Sequence, residues 1–95
     1  MNIKLFRLQT GETVVADVTI YGEQVVALVN PILLVPDQEG NVSFVPWAPM
    51  AEKDKDVEVY IQNIVYTATP AEELVQNYKE IFSPIITPEK KGLIL

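Results

Sequence analysis

Residues 5–31 read LFRLQTGETVVADVTIYGEQVVALVNP and carry the strongest structural signal in the chain. An apolar run reaches Gly11, and every second residue from Val14 to Ile20 is then apolar. Such alternation indicates a strand that buries one of its faces. A polar turn over residues 21–24 leads into another apolar run. The stretch therefore predicts three strands with a sharp bend at the glycine, which is typical of the start of a small bent barrel.

The pattern continues beyond this stretch as further strands. We expect five strands in all, over residues 3–9, 13–20, 24–35, 42–50 and 57–67. The third is predicted to bend at Asn30-Pro31, because proline removes a main-chain hydrogen-bond donor. The last is predicted to contain a short break at Gln62-Asn63. Strands joined by short connections, without alternating helices, favour an antiparallel barrel.

One helix is predicted after the strands, over residues 70–82. Thr69 and Glu72 have the spacing of a capping box, and Pro70 suits the first helical position. Apolar residues recur at helical spacing from Leu74 to Phe82 and form one face. We expect this face to cover the barrel opening, with a partner-binding groove as the alternative. Residues 83–95 are predicted to form a tail.

Length and composition limit the function. The chain has 95 residues, which fits a single domain over residues 1–95, and it contains neither cysteine nor histidine. This excludes thiolate zinc sites, a thiol nucleophile and an imidazole base. The acidic loops are predicted to be solvated turns without a metal, because they lack a calcium-loop pattern; their acidic residues are Asp37, Glu39, Asp54 and Asp56. We therefore expect no cofactor and no enzymatic activity, unless Glu12 and Asp17 are brought together as an acidic pair.

The charge and the apolar runs of the chain argue against duplex DNA and membranes as partners. The formal net charge is −6 with seven basic residues, too few for a face that binds duplex DNA. A small site for single-stranded nucleic acid, built on stacking and polar groups, remains compatible with this charge. The sequence has neither a signal-peptide core nor an apolar run long enough to span a membrane. We therefore expect a soluble, cytoplasmic protein with no membrane partner.

The sequence resembles the Sm-like (LSm) family over roughly residues 3–67. The family's first motif has a glycine, an apolar residue three later, a small residue at five and an apolar residue at seven, which here are Gly11, Val14, Ala16 and Val18. Residues 61–63 (IQN) stand where the second motif has an apolar residue, arginine and glycine. The likeness extends to short Sm-like proteins attributed to cyanophages, through the segments TGE, NP, VPWAPM and PAEEL.

This resemblance implies a strongly bent, five-stranded antiparallel barrel of the SH3-like type. Sm-like proteins form rings by pairing the fourth strand with the fifth strand of the next subunit, which covers two edges prone to aggregation. The implied assembly is a homo-oligomeric ring, with a pentamer favoured and, for a phage protein, a location in the host cytoplasm. The implied subunit contact includes Val42, Phe44, Trp47, Val59 and Ile61. Trp47 has a second interpretation as a core residue.

The resemblance also implies single-stranded RNA as a ligand. The family binds RNA through the loop between its second and third strands, which here is shortened and lacks the family's Asp and Asn. The remaining candidates are Tyr21 for stacking and Gln24, Gln62 and Asn63 for hydrogen bonds to base edges. Glu23 would repel a nearby phosphate. The alternative is a ring of phage origin with a structural or protein-interaction role and no nucleic-acid binding.

Overall fold

The computed structural model describes residues 1–82, and the predicted tail over 83–95 lies outside the described residues. Within residues 1–82 the chain forms six strands and a C-terminal helix, α1, over Glu72–Phe82. The strands are β1 Ile3–Leu8, β2 Thr13–Tyr21, β3 Val25–Pro36, β4 Val42–Pro46, β5 Asp56–Tyr60 and β6 Ile64–Ala68. The prediction of a mainly β fold with one C-terminal helix is confirmed.

The strands form one antiparallel sheet in the order β4-β3-β2-β1-β6. β3 has two partners on the same side, because its first half pairs with β5 and its second half with β4. No hydrogen-bonded ladder joins β6 to β4 or β5 within the described part of the chain. The sheet is therefore open, with β4 and β5 at one end and β6 at the other.

The number of strands differs from the prediction. The fifth predicted strand is two strands, β5 and β6, separated by a 3-10 turn over Ile61–Asn63. The turn is required because β5 pairs with β3 whereas β6 pairs with β1. The predicted fourth strand ends at Pro46, four residues earlier than expected.

The bend in β3 lies where the sequence predicts it. Asn30 has a φ of 52°, a left-handed conformation that asparagine adopts more readily than most residues. Its side-chain amide donates a hydrogen bond of 3.0 Å to the carboxylate of Asp54, which itself has a φ of 63°. The bend thus separates the two halves of β3 and is held by a contact with the segment that precedes β5.

The sheet has an apolar cluster on each face. The interior cluster consists of Phe6, Leu8, Val14, Ala16, Val18, Val26, Leu28 and Val59. Val15 points to the opposite face, because side chains alternate along a strand. There it packs in a second cluster with Ile3, Ile32 and Tyr78.

Helix α1 packs on the face that carries the second cluster. Val75, Tyr78 and Phe82 are its contacts with that cluster. The helix therefore covers the face opposite the interior cluster, which differs from the expected position over a barrel opening. Among residues 1–82, no helix combines the length and apolar character needed to cross a membrane.

Candidate functional site

Two connections meet at one end of the sheet and form a cleft. The β2–β3 turn and the 3-10 turn are joined by a hydrogen bond of 2.8 Å from the N–H of Ile61 to the carbonyl of Gln24. The cleft has a volume of about 550 Å³ and is lined by Glu23, Gln24, Tyr60, Ile61 and Gln62. Local hydrogen bonds between main-chain groups fix the position of this cleft.

The four predicted RNA-binding residues divide into two groups. Gln24 and Gln62 both line the cleft, so the structure brings them together. Tyr21 is exposed at the end of β2 and does not line it. The main chain of Asn63 is engaged elsewhere, since its carbonyl accepts a hydrogen bond of 2.8 Å from the N–H of Gln9. The cleft therefore contains two of the four predicted side chains.

Tyr60 is an aromatic residue of the cleft that is not among the residues predicted from the sequence. It lies at the end of β5 and is 59% exposed. Val59 precedes it and is buried in the interior cluster, so alternation directs Tyr60 outward. The alternation in the segment VEVY already indicates that Tyr60 points outward. Only the fold shows that β5 ends beside the β2–β3 turn.

The charge of the cleft disfavours contacts with phosphate. Glu23 supplies a carboxylate, and neither lysine nor arginine is among the five lining residues. The other polar side chains are the amides of Gln24 and Gln62 and the hydroxyl of Tyr60, which can both donate and accept hydrogen bonds. The arrangement suits an uncharged aromatic ligand with polar edges better than a phosphate backbone.

The two ends of the sheet form a second candidate surface. β4 and β5 pair only with β3, and β6 pairs only with β1, so each of these strands has one free edge among the described residues. Both β4 and β6 carry exposed apolar side chains, Val42 and Val45 on β4 and Val65 and Tyr66 on β6. A free edge with apolar side chains is a ready site for pairing with another strand.

The predicted interface residues lie in several environments. Val42 is exposed on β4, whereas Val59 is buried in the interior cluster. Phe44 packs against the second cluster, and Ile61 packs against the interior one and lines the cleft. Trp47 packs against the interior cluster, and its indole N–H donates to the carboxylate of Glu12 at 3.2 Å.

The acidic residues accept hydrogen bonds, some within their own turn and others from distant segments. The carboxylate of Asp37 accepts bonds from the N–H groups of Glu39 and Asn41 within its own turn. Glu12 accepts from Thr10 as well as from the indole, while Asp17 accepts from the N–H of Asn2. Within residues 1–82, no group of three or more side chains is placed to hold a metal ion.

Comparison with known proteins gives no assignment for this chain. No protein-family model matches it, and neither does any curated protein.

Proposed function

We propose that this chain is a non-enzymatic Sm-like protein whose subunits join head to tail in a homo-oligomeric ring. The observation that carries the proposal is the open sheet, whose two free edges are different strands. A contact between unlike surfaces is heterologous, and it generates a closed ring when the rotation between subunits permits closure. β4 of one subunit would pair with β6 of the next.

The arrangement around β3 supports the Sm-like barrel. β4 and β5 pair with successive halves of β3, so they share one strand position beside it. Counted in this way, the six strands fill five positions. The 3-10 turn carries the chain from the last of these positions to the first, and the bend at Asn30 supplies curvature.

Edge pairing has a physical benefit for a domain of this size. A chain of 95 residues can bury only one modest core, so oligomerisation adds stability. Pairing β4 with β6 would satisfy main-chain groups at both edges and remove the exposed apolar side chains of both strands from water. The edges would then cease to be sites of uncontrolled aggregation.

A charge placed on β6 tests this proposal. We expect Val65→Lys to shift the mass measured by size-exclusion chromatography with light scattering from the ring to the monomer, because a buried lysine would be desolvated at the contact. Ile20→Lys is the matched control, since Ile20 is similarly exposed but lies on β2, which is not at either end of the sheet, and pairs there with Ala27 of β3. A wild-type protein that stays monomeric at micromolar concentration, or equal masses for both variants, contradicts the proposal.

Single-stranded RNA is the second candidate function, and the cleft favours it. Tyr60 offers an exposed ring for base stacking, while Gln24 and Gln62 offer amides for base edges. Because Glu23 supplies the carboxylate of the cleft, binding would use bases rather than phosphates. The affinity would therefore change little with salt, unlike that of proteins that neutralise phosphates.

Fluorescence anisotropy with short oligo-A and oligo-U tests RNA binding. Removing the ring in Tyr60→Ala is expected to weaken binding by about 1–3 kcal/mol, the usual value for one stacked base. Ile81→Ala is the control, because Ile81 is exposed on α1. Saturable binding that is lost only in Tyr60→Ala supports this candidate. The absence of saturable binding by the assembled ring leaves the structural or protein-interaction role.

A further inference from the structure

A groove lies between α1 and the β3–β4 hairpin, on the face opposite the interior cluster. Its apolar lining comes from Leu34, Val42, Phe44 and Leu74, and Glu73 and Asn77 of the helix also border it. The groove has a volume of about 450 Å³. Val42 and Phe44 belong to β4, so the groove runs beside the free edge of the sheet.

Leu74 has a different role from the other apolar residues of α1. Val75, Tyr78 and Phe82 attach the helix to the second cluster, whereas Leu74 lines the groove and is half-buried. A leucine side chain that is only partly covered retains apolar surface that further burial would stabilise. The groove is therefore apolar beyond what is needed to attach the helix.

The position of the groove identifies what would cover it. A strand that pairs with the free edge of β4 lies next to Val42 and Phe44, and both of these side chains line the groove. In the proposed ring that strand is β6 of a second copy. Because the groove adjoins the proposed subunit contact, its occupant is this second copy.

Strand β6 supplies exposed side chains of the kind that an apolar groove would bury. Val65 and Tyr66 are consecutive and are 58% and 50% exposed. Tyr66 pairs with Arg7 and Ile64 pairs with Leu8, so Val65 is the extra residue of an irregularity in β6. Both exposed side chains therefore stand at the irregular part of this strand. A valine would meet the apolar floor, and a tyrosine would also place its hydroxyl near Glu73 or Asn77.

We infer that α1 is part of the subunit contact, with the groove receiving Val65 or Tyr66 from a second copy of this chain. The inference rests on the ring proposed above and adds to it a residue-level role for the helix. Leu74 is then a buried contact at the subunit interface, close to the paired edges.

Cysteine cross-linking tests the contact, since the chain has no cysteine of its own. Asn77→Cys is combined with Val65→Cys in one protein and with Tyr66→Cys in another, and each is treated with a short bis-maleimide. We expect one pair to give a ladder of covalent oligomers on a denaturing gel. The control combines Asn77→Cys with Glu23→Cys, a loop residue of the cleft, and is expected to remain monomeric on the gel.

A pair of helix variants provides a second measurement. Leu74→Glu is expected to raise the concentration needed for assembly by roughly tenfold or more, as for a buried contact at an interface. Gln76→Glu adds the same charge at an exposed position of α1 and is expected to leave assembly unchanged. Circular dichroism of both variants checks that the fold is retained.

The outcomes separate this inference from the ring itself. A wild-type monomer would overturn both. A wild-type ring that gives no ladder with either cysteine pair, or that tolerates Leu74→Glu as well as Gln76→Glu, would overturn the role of the groove and leave the ring standing.

Discussion

Tyr78 attaches the helix to the sheet through a single hydroxyl group. The hydroxyl lies 2.9 Å from the carbonyl of Val29 and 3.0 Å from that of Asn30, and its one proton is shared between them. It also accepts a hydrogen bond of 3.2 Å from the N–H of Asp17. The side chain is 1% exposed. One residue thus connects α1, β2 and the bend of β3.

Removing this hydroxyl is expected to destabilise the fold. In Tyr78→Phe the two carbonyls and the N–H lose a buried partner, which costs about 1–3 kcal/mol in the free energy of unfolding. Urea denaturation followed by circular dichroism measures the change. Tyr21→Phe is the control, because Tyr21 is exposed at the end of β2. An equal, small effect of both variants would contradict the role given to Tyr78.

The same group predicts a dependence of stability on pH. Burial raises the pKa of Tyr78 to about 12; the N–H of Asp17 lowers it, and the charges of Asp17 and Asp54 raise it further. The folded state therefore holds this proton more tightly than the unfolded state, whose pKa is about 10. The stabilisation is complete below pH 10 and is lost as the pH rises towards 12.

The size of this effect follows from the shift in pKa. About two pKa units correspond to roughly 2–3 kcal/mol, lost between about pH 10 and pH 12. Other groups titrate in this range, so the measurement is the difference between wild type and Tyr78→Phe at each pH. The difference is expected to shrink as the pH rises; a constant difference would show that the hydroxyl is not held in its neutral form.

At the scale of secondary structure, the strands were predictable where alternation was regular. In β2 every second residue from Val14 to Val18 is apolar and buried, and its predicted and observed bounds differ only at Tyr21. The division of the predicted fifth strand depends instead on pairing, because β5 pairs with β3 whereas β6 pairs with β1. Nothing within residues 57–67 specifies these partners, so the sequence marked the break without indicating a change of neighbour.

The helix begins two residues later than the capping box predicts. Its first hydrogen bond runs from the N–H of Val75 to the carbonyl of Ala71 at 3.1 Å, and Pro70 is buried just before it. Packing of Tyr78 against the sheet fixes the position of the helix, and this outweighs the local preference of Thr69 for a cap. Tertiary contacts commonly override such preferences.

The role of Thr69 can be tested directly. Because Thr69 is exposed and lies outside the helix, Thr69→Ala is expected to change the free energy of unfolding by no more than about 0.5 kcal/mol. A cap that holds the helix would cost about 1 kcal/mol when removed. Thermal unfolding of the two proteins distinguishes these values, and the larger loss would restore the predicted capping box.

The candidate site was only partly predictable because it, like the strand boundaries, depends on which strands pair. The places of Gln24 and Gln62 in two turns predict a polar site, and the structure brings both side chains to the cleft. Tyr60 and the exposed apolar residues of β4 and β6 acquire their significance from sheet order, which places the cleft and the free edges. Sheet order depends on pairings distant in sequence and is not encoded by any single segment.

At the scale of the whole molecule, the distinctive feature is an open sheet with two unlike free edges. Each edge carries apolar side chains that remain exposed in one chain. Joining the edges of successive copies would bury the exposed apolar side chains of both edges at once. The groove beside α1 lies next to the same contact. The net charge of −6 on each subunit adds repulsion to such an assembly, and salt would screen this repulsion.

The mass of the wild-type protein in solution tests the ring most directly. Sedimentation equilibrium across the micromolar range, at physiological salt, measures this mass independently of molecular shape. The proposed ring predicts one closed species of about five times the 10.6 kDa mass of a single chain, with no growth in size as concentration rises. A monomer at every concentration, or open-ended growth into larger species, would contradict it.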